Sequence, residues 1–588
     1  MTYQLLRLWR HLDRKRHRQF YRLLLLLFAA SIMEMVSIGM VLPFLGAMLD
    51  PGQLMLKPLV QPLIQMLGIV KPPDLRFPLT TLFCMAIVLS GLLRLSMLRA
   101  QTRLSHDVGA DISISIYRRA LYQPYVTHLK RNSSELISGI TTKANNVVHL
   151  AMLPAFGILS SGVMVVSAFI VLMLISTTVA LTSLLALSLV YSIVIRLVRR
   201  QLEMSSKRIS VETTRVIKIL QEGLGGIRDV LIEGAQETYS KTYAKSDLLL
   251  RQAYADVALI TSAPRFGIEA LAMISIALLA YFHTRQPDGL IAALPVIGAF
   301  AIGAQRMLPV IQQGYSAWSS IKGFQESLGD ALDLLDEPIP EYHMNATTHM
   351  LPFDRAIQLE NISFRYASEA PLILKNMNLE ISKGSRVGFI GATGSGKSTL
   401  LDIVMGLLQP SEGGLYVDNV RVEGGNSRSW QANIAHVPQA IFLTDSTIAE
   451  NIAFGLAFDQ IDLDRVCEAA HKAQIGLDIE SWQYGYNTMV GERGVRLSGG
   501  QRQRIGIARA LYKKASVIIF DEATSALDEA TEALVMQSID KLDAQVTVLI
   551  IAHRMSTLKK CDTIFELNGG AVAFKGTYND MMRRRETA

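Results

Sequence analysis

A glycine-rich segment near the middle of the chain has the residue spacing of a phosphate-binding loop. It lies between an apolar stretch at 385–390 and an apolar run that begins at Leu400. In this strand–loop–helix order, glycines let backbone N–H groups surround phosphates, and the helix dipole adds a favourable field. The lysine reaches the β and γ phosphates, and the hydroxyl after it binds Mg²⁺. The segment therefore predicts a nucleoside triphosphate site at Gly391, Ala392, Thr393, Gly394, Ser395, Gly396, Lys397, Ser398 and Thr399.

Two carboxylates follow a second apolar stretch. Residues 517–522 read Val-Ile-Ile-Phe-Asp-Glu, which is typical of a buried strand that ends in an acidic pair. Asp521 can hold Mg²⁺ through water, and Glu522 is placed to polarise an attacking water as general base. Because the pair lies downstream of a phosphate-binding loop, it indicates hydrolysis of the bound nucleotide.

A second phosphate-binding surface is predicted at residues 497–501, Leu-Ser-Gly-Gly-Gln, ahead of a basic helical stretch. Small residues before a helix expose backbone N–H groups to an anion. With this pentapeptide, region 355–588 resembles the ATPase domain of ABC transporters, an α/β P-loop cassette. The resemblance implies that Ser498, Gly499, Gly500 and Gln501 of one copy close over ATP held by Lys397 of another copy.

Five further residues take roles by this resemblance. Tyr366 is the aromatic residue that stacks on adenine, Gln439 senses Mg²⁺ and the attacking water, and Glu492 contacts the membrane helices. Asp528 lies in the segment that crosses to the other cassette, and His553 contacts the γ-phosphate and holds the general base. Taken singly, Tyr366 also fits an ordinary surface side chain and His553 an ordinary histidine at a strand end.

The first half of the chain contains apolar segments as long as membrane spans. The 588 residues are 50% hydrophobic and 19% charged, and the mean hydropathy is +0.28. A spanning helix needs roughly 20 mostly apolar residues. Together with the cassette, these segments predict an α-helical membrane domain at 1–335, a linker at 336–355 and an ATP-binding domain at 356–588. The six predicted spans are 20–43, 79–100, 153–176, 178–198, 258–283 and 290–313.

The net charge of +7 is concentrated ahead of the first span. Basic residues before a span favour a cytoplasmic N-terminus, so both termini are expected in the cytoplasm, beneath the cell (inner) membrane. Nucleic-acid binding is not favoured, because the basic residues are not spread evenly. The three cysteines lack metal-ligand spacing and predict neither a disulfide nor a zinc site. The basic residues of this cluster are Arg7, Arg10, Arg14, Lys15, Arg16, Arg18 and Arg22.

The connections between spans are unequal. Two long internal connections, 101–152 and 199–257, are helical in pattern and break at their tips, near Pro124 and Gly223–Gly226. The ABC exporter resemblance implies coupling helices at these tips, near 124–131 and 223–230. The external segment 52–71 fits either a helix in the outer membrane interface or an apolar loop packed on the protein.

Three arginines lie at a similar depth in the spans, counted at ~1.5 Å per residue. Arg94, Arg265 and Arg306 together could bind an anion such as a pyrophosphate through forked hydrogen bonds. The alternatives are snorkelling towards headgroups and pairing of Arg265 with Glu269 one turn away. Glu34, also within a span, either pairs with one of these arginines or shapes the cavity.

The membrane half also resembles bacterial lipid-linked oligosaccharide flippases of the PglK type. The resemblance rests on residues 34–44, 128–136, 263–265 and 306–309. It implies an ATP-driven flippase that moves a polyprenyl-pyrophosphate glycan from the cytoplasmic to the outer face. Because the chain carries one cassette and six spans, a dimer is required, and we expect a homodimer surrounded by membrane lipids. The alternative is an exporter of other lipids or hydrophobic drugs. A soluble ABC ATPase and an ATP-gated channel are other classes, which fractionation and measured ion current would identify.

Overall fold

The computed structural model describes residues 2–40, 43–44, 47–48, 51–52, 61, 71–175, 177–283, 307–340, 349–523, 527–540, 543–552 and 554–587. The chain forms two compact units. The first unit contains residues 1–121 and 131–338, and the second contains residues 122–130 and 339–588.

Long helices make up the first unit. A 3₁₀ turn, Pro72–Leu75, precedes α3, and two π-helical segments, Gly139–Lys143 and Val147–Met152, flank the short turn Ala144–Asn146. The helices of the first half of the chain are α1 (Thr2–Arg10), α2 (Arg14–Gly39), α3 (Arg76–Leu121), α4 (Tyr125–Lys130), α5 (Ser133–Ser138), α6 (Leu153–Ile175), α7 (Thr177–Gly225), α8 (Ile227–Ile232), α9 (Gln236–His283), α10 (residues 307–323) and α11 (Gln325–Asp336).

Four helical stretches of the described residues are long and apolar enough to cross a membrane: Arg14–Ser37, Pro72–Leu121, Ser133–Ser167 and Gln236–Ile274. They contain most or all of the predicted spans 1, 2, 3 and 5. The fourth predicted span lies within α7, and most of the sixth lies outside the described residues, as does most of segment 52–71.

The first unit also has a packed hydrophobic core. Leu104, Val108 and Ile112 of α3 are buried there with Leu332 of α11. A Cβ atom at Gly109 would lie 2.2 Å from a methyl carbon of Val148, so only glycine allows this close approach of the two helical segments.

Ion pairs reinforce the same core. Lys143 is 5% exposed and donates to Asp330 at 2.6 Å, and Asp330 also accepts from the Ser210 hydroxyl. Arg7 of α1 binds Asp333 of α11 at 2.8 Å. The first helix of the chain is thereby fixed to α11, the last helix of this unit.

Both internal connections turn at the predicted breaks. Helix α3 ends at Leu121 and α4 begins at Tyr125, while α7 ends at Gly225 and α8 begins at Ile227. Helix α4 belongs to the second unit, where Val126 packs against the hydrophobic core.

The second unit is an α/β domain. Among its described residues, one sheet has the order β2-β1-β4-β5 and the other the order β10-β9-β3-β8-β7-β6. The strands are β1 (Ala356–Phe364), β2 (Leu374–Ser382), β3 (Arg386–Gly391), β4 (Glu412–Val417), β5 (Val420–Arg421), β6 (Ile434–Val437), β7 (Val517–Asp521), β8 (Thr547–Ile551), β9 (Thr563–Asn568) and β10 (Ala571–Gly576). The helices are α12 (Lys397–Val404), α13 (Gly424–Gln431), α14 (Ile448–Ile452), α15 (Leu463–Lys472), α16 (Gly476–Ser481), α17 (Gly499–Lys513), α18 (Glu529–Asp540) and α19 (Tyr578–Thr587).

The larger sheet is buried on both faces. Strands β9, β3, β8, β7 and β6 are parallel, and only β10 is antiparallel to its neighbour. Successive residues of β8 alternate between two hydrophobic clusters: Val548 and Ile550 face one, and Leu549 and Ile551 face the other. Because side chains alternate across a strand, these apolar runs place a packed layer on each side of the sheet.

Candidate nucleotide-binding site and membrane cavity

The predicted catalytic segments follow neighbouring strands of the parallel sheet. The phosphate-binding loop follows β3, Glu522 follows β7, and Gln439 lies two residues after β6. Ligands of open parallel sheets bind at the carboxyl ends of the strands. The sheet order therefore brings the three segments to one edge, although they are far apart in the sequence.

The phosphate-binding loop has the backbone conformation that its glycines predict. Gly396 has φ +97°, and a Cβ atom there would lie 2.7 Å from Leu374. The Lys397 side chain is mostly buried, and its Nζ donates to the carbonyls of Gly391 at 2.8 Å and Ala392 at 3.0 Å. The ammonium group therefore lies directly over the loop.

The loop residues fit a bound phosphate. The hydroxyl oxygen of Ser395 is buried and has no hydrogen-bond partner among the described residues. The space where Gly394 would carry a Cβ atom is open to at least 4 Å. Buried polar groups normally have a partner, and a phosphate oxygen would supply one here beside the Lys397 ammonium.

Carboxylates surround the end of β7. Burial and the charge of Glu522 raise the pKa of Asp521, whereas Lys397 lowers it. Burial and Asp521 raise the pKa of Asp402 to about 6. Such crowding of negative charge favours a cation. Among the described residues, no group of three or more His, Cys, Asp or Glu is arranged to hold a metal ion by itself.

Glu522 is positioned by both its backbone and its side chain. Its φ is +49°, a conformation uncommon for a residue other than glycine. Its N–H donates to Ile551 O at 3.1 Å, and its carboxylate accepts from Gln439 Nε2 at 2.7 Å. Backbone strain of this kind concentrates at functional sites. The structure thus brings together Glu522 and Gln439, which are 83 residues apart.

The predicted adenine-stacking residue lies beside the phosphate-binding helix. The Tyr366 hydroxyl is 3.1 Å from the Thr399 hydroxyl, and the Tyr366 ring stands edge-on to Phe364 at 5.0 Å. One third of Tyr366 is exposed, which leaves ring surface free for a planar ligand.

The predicted second phosphate-binding surface is an ordered helix start. The Ser498 hydroxyl accepts from Gln501 N at 3.2 Å, and Gln501 Oε1 accepts from Ser498 N at 2.9 Å. This capping box orients the first turn of α17 and leaves Ser498 and Gly499 exposed. None of these hydrogen bonds reaches the phosphate-binding loop.

The remaining predicted cassette residues are partly described. Asp528 caps α18: it accepts from Thr531 N at 2.9 Å and Thr531 Oγ1 at 2.7 Å, and these bonds lower its pKa. Glu492 is exposed in a 3₁₀ turn, Glu492–Gly494. His553 lies outside the described residues.

Two further residues of the cassette were not predicted from the sequence. Asp402 lies five positions after Lys397 on α12, and no local pattern indicates it, because its closeness to Asp521 depends on how this helix packs on the sheet. Glu532 of α18 is buried, and it accepts hydrogen bonds from Arg554 Nη1 at 2.9 Å and from Thr557 Oγ1 at 3.0 Å. Both of these partners follow β8 in the sequence. Glu532 thereby fixes the segment that follows β8, a contact that no local pattern indicates.

Two of the three predicted span arginines are described, and both are paired. Arg94 Nη2 lies 2.8 Å from Glu34 Oε1, so Glu34 pairs with one of these arginines, as the first alternative predicted. Arg265 Nε donates to Glu269 Oε1 at 2.7 Å. Arg306 lies outside the described residues.

Arg265 and Glu269 line a cavity of about 500 Å³ between α7, α9 and α10. A second cavity, of about 600 Å³, adjoins it and shares Thr261, Ser262, Gln313 and Ser316. The second cavity is the more apolar of the two. Its other lining residues are Gln101, Leu150, Leu153, Pro154, Gly157, Tyr254, Val257, Ala258, Ala317, Ser320 and Phe324.

Two protein-family models match the chain. The model described as ABC transporter transmembrane region matches residues 18–286, and the model described as ABC transporter matches residues 374–525. The first match covers the predicted spans 1 to 5, and the second covers the phosphate-binding loop, Gln439, the 497–501 segment and Glu522. The predicted fold class is confirmed.

Curated relatives extend over both halves. The ATP-dependent lipid A-core flippase of Coxiella burnetii is 30% identical over 493 residues, which are 82% of this chain and 80% of that protein. The protein with the same name in Escherichia coli K12 is 29% identical over 461 residues, 78% of each chain. The heterocyst differentiation ATP-binding protein HepA of Nostoc sp. PCC 7120 is 29% identical over 571 residues, 95% of this chain and 91% of that protein.

A solved structure, described as a bacterial Atm1-family ABC exporter with ATP bound, is similar over nearly the whole chain. The TM-score is 0.79 at 22% identity, and the alignment covers 97% of each chain. At this identity the likeness shows the fold alone.

Proposed function

Because the chain belongs to the ABC transporter family, as an exporter half-transporter with fused membrane and ATP-binding domains, we propose that it flips a polyprenyl-pyrophosphate-linked oligosaccharide. The chain spans a membrane and couples ATP hydrolysis to transport. In this proposal the lipid moves from the cytoplasmic to the outer leaflet of the cell (inner) membrane. The ATP-binding domain and both termini then lie in the cytoplasm.

The two adjoining cavities are the observation that carries the choice of substrate. The cavity that contains Arg265 and Glu269 borders a more apolar one, an arrangement that suits a ligand with a charged headgroup and a hydrocarbon chain. Arg265 can present a planar fork of N–H donors to a phosphate. The similarity to two lipid A-core flippases supports a lipid substrate, and the PglK-type resemblance of the membrane half supports the pyrophosphate-linked glycan.

One observation favours a second candidate, an exporter of other lipids or of hydrophobic drugs. Arg94 and Arg265 already have carboxylate partners, Glu34 and Glu269. A pyrophosphate would compete with Glu269 for the Arg265 guanidinium, whereas a neutral amphiphile would leave the pair intact. Stimulation of ATP hydrolysis by unrelated hydrophobic drugs, without a response to the glycolipid, would favour this second candidate.

In the ATP-binding domain we propose that Lys397 and the backbone N–H groups of the loop bind the ATP phosphates. Glu522 takes up the proton of the attacking water, Gln439 and His553 orient this machinery, and Tyr366 stacks on adenine. Ser398, Gln439 and Asp521 would hold Mg²⁺, which would supply positive charge beside the phosphates.

We further propose that two identical chains form the working unit. Ser498 stands at an exposed helix start and bonds to Gln501 rather than to the phosphate-binding loop. A second copy can offer this surface to ATP bound at Lys397. This chain carries one membrane domain and one cassette, so a pair of chains supplies two membrane domains and two cassettes.

Arg265→Ala is expected to raise the concentration of pyrophosphate-linked lipid that half-saturates ATPase stimulation by about 10- to 100-fold, the loss of a hydrogen bond to a charged group. The measurement is lipid-stimulated ATP hydrolysis by protein in nanodiscs, over a series of lipid concentrations. An uncharged lipid of the same chain length should have the same half-saturating concentration for ATPase stimulation in the parent and the variant.

Arg251→Ala provides a matched control on the same helix. Arg251 pairs with Asp247 one turn away at 2.8 Å, much as Arg265 pairs with Glu269 at 2.7 Å, but it does not line the cavity. The control should keep the half-saturating concentration of the parent. Equal responses of both variants would contradict a substrate role for Arg265.

A further inference from the structure

Helix α9 contains a proline, Pro264, within its long run of Gln236–His283. Proline has no backbone N–H, so the carbonyl four residues earlier, that of Ile260, loses its helical donor. In a membrane domain such a freed carbonyl must find another partner, and side chains of neighbouring helices commonly supply it.

Side chains of α10 donate hydrogen bonds to backbone carbonyls of α9 at this position. The Tyr315 hydroxyl donates to Ile260 O at 2.9 Å, and Gln312 Nε2 donates to the next carbonyl, Thr261 O, at 3.0 Å. The Ser319 hydroxyl donates to Thr261 Oγ1 at 3.1 Å. Three positions of α10, one helical turn apart, therefore bind the stretch of α9 just before Pro264.

A third helix fixes the glutamine. The Tyr191 hydroxyl of α7 donates to Gln312 Oε1 at 3.0 Å. Tyr191 and Tyr315 are 6% and 4% exposed, and their rings are 5.4 Å apart. Because both ends of the Gln312 amide are engaged, its orientation is set, and the network closes over α7, α9 and α10.

We propose that Tyr315, Gln312 and Tyr191 form a clamp that holds the backbone of α9 just before Pro264 and so directs Arg265 into the cavity. These are positioning residues: Arg265 is the next residue after Pro264, and it lines the same cavity as Gln312 and Tyr191. That Arg265 is the group that meets substrate rests on the proposed function. The hydrogen bonds to Ile260 O and Thr261 O do not depend on it.

Tyr315 also packs in the core with Ile268, so a variant at this position could act through packing alone. The chain offers a way to separate the two effects. Pro264→Ala restores an N–H at position 264, and Ile260 O regains its own helical donor. The Tyr315 hydroxyl then becomes dispensable if it serves the freed carbonyl, but not if it serves packing.

The experiment follows the reactivity of a thiol introduced by Arg265→Cys, with Cys84, Cys467 and Cys561 replaced by alanine. Protein in nanodiscs is treated with a charged, membrane-impermeant thiol reagent, and the rate of modification is measured. Tyr315→Phe removes only the hydroxyl, and it should slow modification by about fivefold, the worth of one net hydrogen bond. In combination with Pro264→Ala it should change the rate less than about twofold.

A thiol introduced instead by Arg251→Cys, far along the same helix, should react at the same rate with and without Tyr315→Phe. Tyr191→Phe, which removes only the donor to Gln312 Oε1, should slow the Arg265→Cys thiol as well. If Pro264→Ala does not yield monodisperse protein, the Tyr191→Phe variant still tests the clamp. An unchanged rate in Tyr315→Phe and Tyr191→Phe, or equal slowing by Tyr315→Phe with and without Pro264→Ala, would overturn the clamp.

The second readout uses chains that retain Arg265. Tyr315→Phe should raise the half-saturating concentration of pyrophosphate-linked lipid in ATPase stimulation while the maximal stimulated rate is kept, because it misdirects Arg265 without altering the cassette. A lower maximal rate at an unchanged half-saturating concentration would contradict the positioning role. If the thiol rates behave as expected while the parent chain does not respond to this lipid, the clamp stands and the proposed substrate is wrong.

Discussion

Glu522→Gln is expected to reduce ATP hydrolysis by about 10²- to 10⁴-fold, the range for loss of a general base, while ATP still binds. The amide has the shape of the carboxylate but cannot take up a proton. Gln439 Nε2 lies 2.7 Å from the Glu522 carboxylate, and an amide oxygen can accept the same hydrogen bond. The geometry at the end of β7 is therefore kept while the chemistry is removed. Steady-state ATP hydrolysis and ATP affinity, measured on the same preparation, test this expectation.

Glu529→Gln is the matched control for Glu522→Gln. Glu529 is an exposed carboxylate at the start of α18 and takes no part in the site. This variant should hydrolyse ATP within about twofold of the parent, since surface substitutions have small effects. If Glu522→Gln also kept turnover within tenfold of the parent, the general-base assignment would be wrong.

The second large effect concerns the pairing of two chains. If Lys397 of one chain and Ser498 of the other make each ATP site, then one substitution at Lys397 and one at Ser498 have different effects in two kinds of dimer. The outcome depends on whether the two substitutions are carried by different chains or by the same chain. A dimer of one Lys397→Ala chain and one Ser498→Phe chain keeps one intact site. A dimer of one doubly substituted chain and one parent chain keeps none.

All four chains carry Glu522→Gln, so that bound ATP is retained, and two different affinity tags isolate the mixed dimers. ATP retained per dimer after gel filtration is then measured. The first dimer should retain about one ATP and the second almost none, because a Lys397→Ala loop lacks its buried ammonium and a Ser498→Phe surface cannot close. The opposite order would mean that each chain completes its own site.

The cassette site was largely predictable because its elements are local patterns. The order of apolar strand, glycine loop and helix predicts the geometry around Lys397, and an acidic pair after an apolar run places Glu522 at a strand end. The sheet order then brings Gln439 to Glu522. Asp402, whose pKa is raised to about 6 by burial and Asp521, was missed, because its closeness to β7 depends on how α12 packs on the sheet.

The membrane domain was less predictable because its polar contacts join distant helices. Hydropathy identifies the spans, but it does not show which residues of two spans face each other. The pairing of Glu34 with Arg94 and the hydrogen bond from Tyr315 to Ile260 O connect residues 60 and 55 positions apart. The pairing of Arg265 with Glu269, by contrast, follows a local rule, since the two are one helical turn apart.

The proposed function requires that the membrane domain and the ATP-binding domain be coupled. Glycolipid in the cavities must raise ATP hydrolysis at Glu522, and hydrolysis must move the lipid. In the second unit, α4 packs Val126 into the core that carries the phosphate-binding helix. A segment of the connection between predicted spans 2 and 3 is therefore part of the cassette itself, which offers a direct route for this coupling.

The most direct test is ATP-driven movement of a polyprenyl-pyrophosphate-linked glycan in proteoliposomes. Labelled glycolipid begins on the side that faces the cassettes, and a membrane-impermeant lectin or glycosidase reports its appearance on the other side. We expect lipid to cross with ATP and Mg²⁺, but neither with ADP nor with the Glu522→Gln variant. Lipid that stays in place with ATP, or crosses equally with the Glu522→Gln variant, would contradict the proposed function.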